Sequence, residues 1–194
     1  MNVGPRGAER ARHLISLLVE KEVLTEGELR RSMTEMAEWS PVIGARAVAK
    51  AWLDPEFRAR LFEDAKKAFE DLGVTDDLPD RLVALENTPQ VHNLVVCTLC
   101  SCYPSRVLGP APAWYKSLNY RARAVREPRA VLEEFGVSLD GDVEVRVYDS
   151  TADVRYLVVP QRPSETEALT EEELAALVTR DSMVGVGLAR IPEG

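Results

Sequence analysis

The chain has 194 residues, 45% of them hydrophobic, enough to bury a core of its own in one domain with a detachable arm. A formal net charge of -8 excludes a dedicated nucleic-acid surface, which needs a basic face to displace counterions from phosphates. No apolar run approaches the roughly 20 residues that span a bilayer, and Met1-Asn2-Val3-Gly4-Pro5 opens no signal-peptide apolar region, so the expectation is a soluble, cytoplasmic protein.

Residues 1–75 show helical periodicity and almost no strand signal. Leu14, Ile15, Leu17 and Leu18 share one face of an amphipathic segment that starts an N-terminal helical arm. Thr25 and Glu28 have capping-box spacing for a second helix, which Ser40-Pro41 ends because the residue before proline disfavours helix. A third helix is expected from Ile43 to Leu53. Asp54-Pro55 starts a fourth, carried by Phe57, Leu61, Ala65, Ala68, Phe69 and Leu72 until Gly73 offers a left-handed cap.

After Asp76-Asp77-Leu78-Pro79 the texture changes. Short β-branched runs at Leu82–Leu85, Val91–Val96, Val143–Tyr148 and Val154–Val159 are strand candidates. The proline-rich stretch Pro104–Pro112 places the cysteines just before it on a loop. A helix starts at Pro128 and stops at Phe135-Gly136. Thr170 with Glu173 caps another that carries Leu174 and Leu177, and the acidic run Glu165–Glu173 suits the positive end of that helix. The predicted fold class is α+β: a helical arm over 1–75, then a layered α/β domain over 76–194 that carries the cysteine loop.

The cysteines number three, Cys97, Cys100 and Cys102. Thiols confined to one short segment of an intracellular chain argue against a disulfide framework. Cys102 lies only two residues beyond Cys100, so both thiolates reach one ion only if the chain wraps it tightly. Wrapping brings the intervening backbone amides to the metal. With the amide nitrogens of Ser101 and Cys102 deprotonated, sulfur and nitrogen together supply five corners of an octahedron and leave one open. Thiolate and amidate are strong-field donors, so such a site favours low-spin trivalent cobalt or iron over zinc, whose structural sites are tetrahedral. The spacing also admits a redox Cys-x-x-Cys with a spare thiol, a zinc site completed by His92 or a partner, or unliganded buried cysteines. His92 reads as a hydrogen-bonded structural group beside a strand and is left out of the ligand set.

The segment Val95-Val96-Cys97-Thr98-Leu99-Cys100-Ser101-Cys102-Tyr103-Pro104 resembles the metal signature of nitrile hydratase α subunits. The likeness runs through Glu86-Asn87-Thr88-Pro89, Val91-His92-Asn93, Val107-Leu108-Gly109, Trp114-Tyr115-Lys116, Tyr120-Arg121, Val145 to Ala152 and Arg180-Asp181-Ser182-Met183, nearly the whole chain. The resemblance implies hydration of a nitrile to its amide at a non-corrin Co(III) centre. Thr98 and Tyr103 go with cobalt in that family, which selects cobalt over the alternative Fe(III). It implies a sulfinic acid at Cys100, a sulfenic acid at Cys102 and a plain thiolate at Cys97. Oxygen on sulfur lowers its donor strength and makes the metal a better Lewis acid, and the Cys102 sulfenate is a candidate nucleophile. Metal ligands are then Cys97, Cys100, Ser101 and Cys102, with Ser101 and Cys102 also in the catalytic set. Asp149, Asp153 and Arg155 match family positions behind the loop with orienting and electrostatic roles, although glutamate is common where Asp153 stands. By their residue types alone, Asp149 and Arg155 would be turn and strand-edge groups.

Partners implied by the resemblance are a β subunit or split β-like subunits, a maturation or activator protein and a small-molecule nitrile; neither nucleic acid nor membrane is expected. Trp114 and Tyr115 either pack the core or line a pocket or subunit interface. The common family loop has Trp-Pro where this chain has Ser105-Arg106, which points to a larger, more polar nitrile. A three-subunit version of the family, acting on the deazapurine nucleoside toyocamycin, is compatible with that departure. Two rivals remain: the metal-bearing subunit of thiocyanate hydrolase, and a non-catalytic metal-binding or redox protein.

Overall fold

The computed structural model describes residues 5–192. Two helices lead the chain, α1 (Pro5–Glu20) and α2 (Glu26–Glu38). α2 begins with the predicted capping box: the Glu28 amide donates to Thr25 Oγ1 at 3.1 Å and the Glu28 carboxylate accepts the Thr25 amide at 2.8 Å. No described residue of α1 or α2 is buried, and Leu14, Met33 and Met36 face outward.

From α3 (Val42–Leu53) onward the helices face a core. Gly44, Ala45, Ala47, Val48, Ala49 and Ala51 are buried. A Cβ on Gly44 would lie 2.8 Å from Met183 Sδ and 3.0 Å from the Val107 carbonyl, so the missing side chain sets this close approach. The single helix expected from Pro55 to Gly73 is two, α4 (Pro55–Glu63) and α5 (Ala65–Asp71). The break is Asp64 at φ -148, whose carboxylate accepts from the Lys67 amide. An aspartate side chain competes with helical backbone hydrogen bonds and caps a new turn instead. The apolar face crosses the break without interruption, with Phe57, Leu61, Ala65, Ala68 and Phe69 buried, so periodicity carries no sign of it. Gly73 ends α5 in the left-handed region, as its position predicts.

All four strand candidates form strands: β1 (Arg81–Glu86), β2 (Val91–Val96), β3 (Glu144–Asp149) and β4 (Val154–Val159). β1 pairs with β4 and β2 with β3, both parallel. Between β2 and β3 run α6 (Ser105–Leu108), α7 (Leu118–Arg126) and α8 (Pro128–Glu134); α9 (Glu171–Leu177) and α10 (Arg180–Val184) follow β4. The α8 and α9 helices match expectation, with the Thr170–Glu173 capping box in place. The other three had no readable signal. α6 and α10 are shorter than a helical period needs, and α7 buries only Tyr120 and Ala124 among arginines. One apolar core joins α3–α5, the strands and the tyrosines 103, 115 and 120. The α+β class is the one expected. No helix among the described residues is long and apolar enough to cross a membrane.

In the β2–β3 register Val96 stands opposite Asp149. Both strands therefore end at one edge, where the segment after β2 carries the cysteines and the segment after β3 carries Asp149 and Ser150. Loops beyond the carboxyl ends of parallel strands are where α/β proteins place their sites.

Candidate metal centre

The three sulfurs converge. Cys97 Sγ lies 3.3 Å from Cys100 Sγ, which lies 3.0 Å from Cys102 Sγ, and all three atoms fall within 4.8 Å of one another. None is in a disulfide. Cys97, directly after β2, is fully buried, Cys102 is half-buried and Cys100 is exposed. No histidine or carboxylate among the described residues joins the cluster. The donor set is all thiol, which suits a thiophilic transition ion.

His92 is not part of it. Its Nε2 donates to the Gly185 carbonyl at 2.7 Å and its Nδ1 accepts from Asn87 Nδ2 at 3.3 Å. Burial holds its pKa below the ordinary value, against the pull of the Gly185 carbonyl. Both ring nitrogens of a neutral imidazole are thus occupied, and a zinc site completed by His92 is excluded.

The thiols share their protons unequally. Hydrogen bonds from Cys102 and Cys97 bring Cys100 down to about 7, and the backbone of Cys102 and Ser101 adds to the effect. Cys102 is pushed up to about 12 by burial and by its bond to Cys100, while Arg155 pulls the other way. Of these two, Cys100 therefore takes the negative charge first. Among the described residues the main-chain amide hydrogen-bonded to a sulfur is that of Cys100, which donates to Cys97 Sγ at 3.3 Å.

Main-chain groups around the sulfurs are held by side chains from two directions. Asp149 accepts from the Thr98 amide at 2.8 Å and from the Thr98 hydroxyl. Arg121, on α7, donates Nε to the Cys97 carbonyl at 2.9 Å and Nη2 to the Thr98 carbonyl at 2.6 Å. Tyr115, its phenol kept protonated by burial, donates to the Cys102 carbonyl at 2.9 Å. Tyr120 donates to the Val95 carbonyl at 2.7 Å. Trp114 packs edge-on against Tyr115, Tyr120 and Phe135, so of the two aromatics singled out in the sequence one fills the core and the other also touches the loop.

The remaining predicted residues are less engaged. Arg155 donates to the Ala152 carbonyl at 2.8 Å and to that of Thr151, and it acts on Cys102 through its charge. Asp153 uses its amide on Thr151 Oγ1, and among the described residues its carboxylate has no hydrogen bond to the cysteine loop. Ser101 is exposed. Arg121 had no role in the sequence reading beyond the family likeness. It is one of three arginines on α7, and nothing in their spacing says which turns inward.

Fold and site together define an α+β protein that gathers three thiols on one loop at the carboxyl edge of parallel strands, a thiolate metal protein. The family model for the nitrile hydratase alpha chain matches residues 6–187. The low-molecular weight cobalt-containing nitrile hydratase subunit alpha of Rhodococcus rhodochrous is 51% identical over 186 residues, 95% of this chain and 90% of that one. The thiocyanate hydrolase subunit gamma of Thiobacillus thioparus is 42% identical over 90% of this chain and 76% of its own length. Among solved structures, a double mutant of the Fe-type nitrile hydratase from Comamonas testosteroni Ni1 superposes with a TM-score of 0.90 at 41% identity, covering 97% of this chain and 93% of that one. The chain belongs to the nitrile hydratase alpha-chain family and is an enzyme subunit of hydro-lyase type.

Proposed function

We propose that this chain hydrates a nitrile to its amide as the metal-bearing α subunit of a cobalt nitrile hydratase, with Cys97, Cys100, Cys102 and the amide nitrogens of Ser101 and Cys102 as the ligands. The observation that carries this reading is the convergence of the three sulfurs on one short loop. Cobalt(III) held there would supply Lewis-acid polarisation of the nitrile.

The chain's own residues account for the rest. Exposure and acidity order these two thiols for oxidation: Cys100 is exposed and more readily ionised than Cys102, which suits a sulfinic acid, and half-buried Cys102 suits a sulfenic acid. Cys97, sealed from solvent, stays a thiolate. Arg155 favours negative charge on Cys102, whose sulfenate oxygen is the candidate nucleophile. Asp149 fixes Thr98 and so the direction in which the loop leaves β2. Asp153, exposed on the segment before Arg155, adds negative charge at the rim.

Such an anionic centre needs more paired donors than this chain brings, and a β subunit or split β-like subunits would supply them. The exposed α1 and α2 helices offer a surface for that partner. Maturation would draw on an activator protein, and the compartment is cytoplasmic. The thiocyanate hydrolase relative keeps a second substrate open, thiocyanate.

The test is coexpression with the cognate partner in cobalt medium. Cobalt at one per chain, an intact mass raised by about three oxygens and amide from nitriles are expected. Ammonia and carbonyl sulfide from thiocyanate, without amide from any nitrile, would replace this reading by the thiocyanate one. Stoichiometric zinc in an active preparation would overturn both.

A further inference from the structure

The peptide groups on either side of Thr98 are gripped from both sides. The Thr98 amide is taken by Asp149, while the carbonyls of Thr98 and Cys97 are taken by one guanidinium, that of Arg121. Cys97 is the last buried point of the chain before the loop turns outward, and Leu99, which follows Thr98, is 89% exposed. The two gripped peptides are thus the hinge from which Cys100, Ser101 and Cys102 swing. At the far end the Cys102 carbonyl is held by Tyr115.

Arg121 is set apart from its neighbours on α7. Arg123 pairs with Glu127 at 2.9 Å and with Glu134 at 2.6 Å, and Arg126 turns back to the Ala122 carbonyl. Among the described residues Arg121 has no carboxylate partner, and both of its hydrogen bonds go to the loop. A planar guanidinium presents two parallel donors in fixed geometry, which a lysine cannot reproduce. Its position in turn is set by Ser117, which caps α7, and by Tyr120, whose hydroxyl ties the same turn to Val95.

We infer that Arg121 is a positioning residue for the metal loop: its forked grip on the Cys97 and Thr98 carbonyls sets the spacing of Cys97 from Cys100 and Cys102. This rests on the reading of the cysteines as metal ligands for its catalytic consequence, but the grip itself can be measured without metal.

The experiment uses the complete complex with its partner, metal-free and cobalt-loaded, carrying Arg121→Gln, Arg121→Lys or, as a control on the outer side of the same helix, Arg126→Gln. In the metal-free complex, amide exchange of Thr98 to Cys102 should quicken at least about tenfold in Arg121→Gln and stay as wild type in Arg126→Gln. In the loaded complex Arg121→Gln should hold less cobalt or shift the sulfur-to-cobalt absorption bands, with kcat down about 10- to 100-fold and KM changed by less than about threefold. Arg121→Lys should assemble and recover only part of both, having a donor without the fork. Wild-type exchange in both Arg121 variants would overturn the inference, and so would equal effects in Arg126→Gln. Absence of cobalt in the wild-type complex would instead strike the metal reading, leaving the exchange result to judge the grip.

Discussion

Strand β2 carries a polar network at each end, and the two are built on opposite logic. Before and at its start, Asn87 Oδ1 accepts from the Asn93 amide at 2.8 Å and from Asn93 Nδ2 at 3.0 Å. Asn93 Nδ2 also reaches the Glu86 carbonyl at 2.6 Å, and His92 links Asn87 to Gly185. Every strong donor is spent within the network. A cleft of about 350 Å³ opens beside it, lined in part by Asn87, His92, Arg162 and Leu188, yet the imidazole that lines it has both nitrogens hydrogen-bonded. At the other end the chain's main-chain groups are just as well held, by Asp149, Arg121, Tyr115 and Tyr120, but among the described residues the sulfurs they surround meet only one another and the Cys100 amide, which donates to Cys97 Sγ at 3.3 Å. Two buried hydroxyls, Ser150 Oγ beside Asp149 and Tyr103 Oη after Cys102, have no hydrogen-bond partner among the described residues. A network that consumes its own donors holds a fold together; one that fixes backbone while leaving soft nucleophiles gathered is prepared for something else.

The comparison is broken most severely by removing sulfur. Cys97→Ser, Cys100→Ser and Cys102→Ser should each reduce activity of the assembled enzyme to background, since each removes a ligand or an oxygen carrier from one coordination sphere. Circular dichroism of the same variants should stay as wild type if the His92 end carries the structural duty. Retained turnover in any of the three would sink the ligand set. Next in size, Asp149→Ala takes away both acceptors that hold Thr98, and a loss of about 10- to 100-fold in cobalt affinity or activity is expected. Metal analysis beside kcat would check it, and an unchanged cobalt content with unchanged rate would make Asp149 a turn residue only.

The opposite end should answer to stability and not to metal. His92→Ala leaves the Gly185 carbonyl and Asn87 Nδ2 without their partner, at a cost of about 1–3 kcal/mol, read as a lower melting temperature with cobalt content per folded chain unchanged. The pH dependence follows the same logic. Burial lowers the His92 pKa, so on acidification the unfolded chain takes up the proton first, near the ordinary value of about 6.5. Its contribution to stability is complete above that pH and shrinks as pH falls below it. Chemical denaturation between pH 7.5 and pH 5.5, wild type against His92→Ala, isolates this term; identical slopes would show that His92 titrates freely.

The sequence disclosed the metal end more fully than the structural end. Cys97, Cys100 and Cys102 lie within one turn of chain, so their convergence needs no long-range contact and could be read from spacing. Asp149 could not: its approach to Thr98 depends on the parallel register of β2 and β3. Strand identity was visible in β-branched runs, but pairing leaves no local mark. Arg121 was hidden for a different reason, since α7 has no apolar stripe to orient it and its three arginines are equivalent on paper. At Asp64 an unbroken apolar face concealed a broken backbone. The His92 network was foreseen only as a structural histidine, because Gly185, its acceptor, is 93 residues away.

The smallest expected effect concerns what the metal end admits. Ser105 opens α6 three residues after Cys102, half-buried, with its amide on the Tyr103 carbonyl at 2.9 Å. Serine at this point leaves space and a hydroxyl where a common family loop would place an indole, and the neighbouring Arg106 adds donors that a simple aliphatic nitrile cannot use. Ser105→Trp keeps the backbone of α6, because the changed side chain is not a helix cap. It should fill that space, leave cobalt content untouched and shift the ratio of kcat/KM for a small aliphatic nitrile over a large polar one by about tenfold toward the small one. The effect is modest because it arises from shape alone, with no change at the sulfurs or at the residues that hold them. Parallel kcat/KM measurements on the two nitriles decide the matter: an unchanged ratio would mean that position 105 lies outside the space the substrate occupies, and that selectivity at this end of β2 is set by the partner subunit.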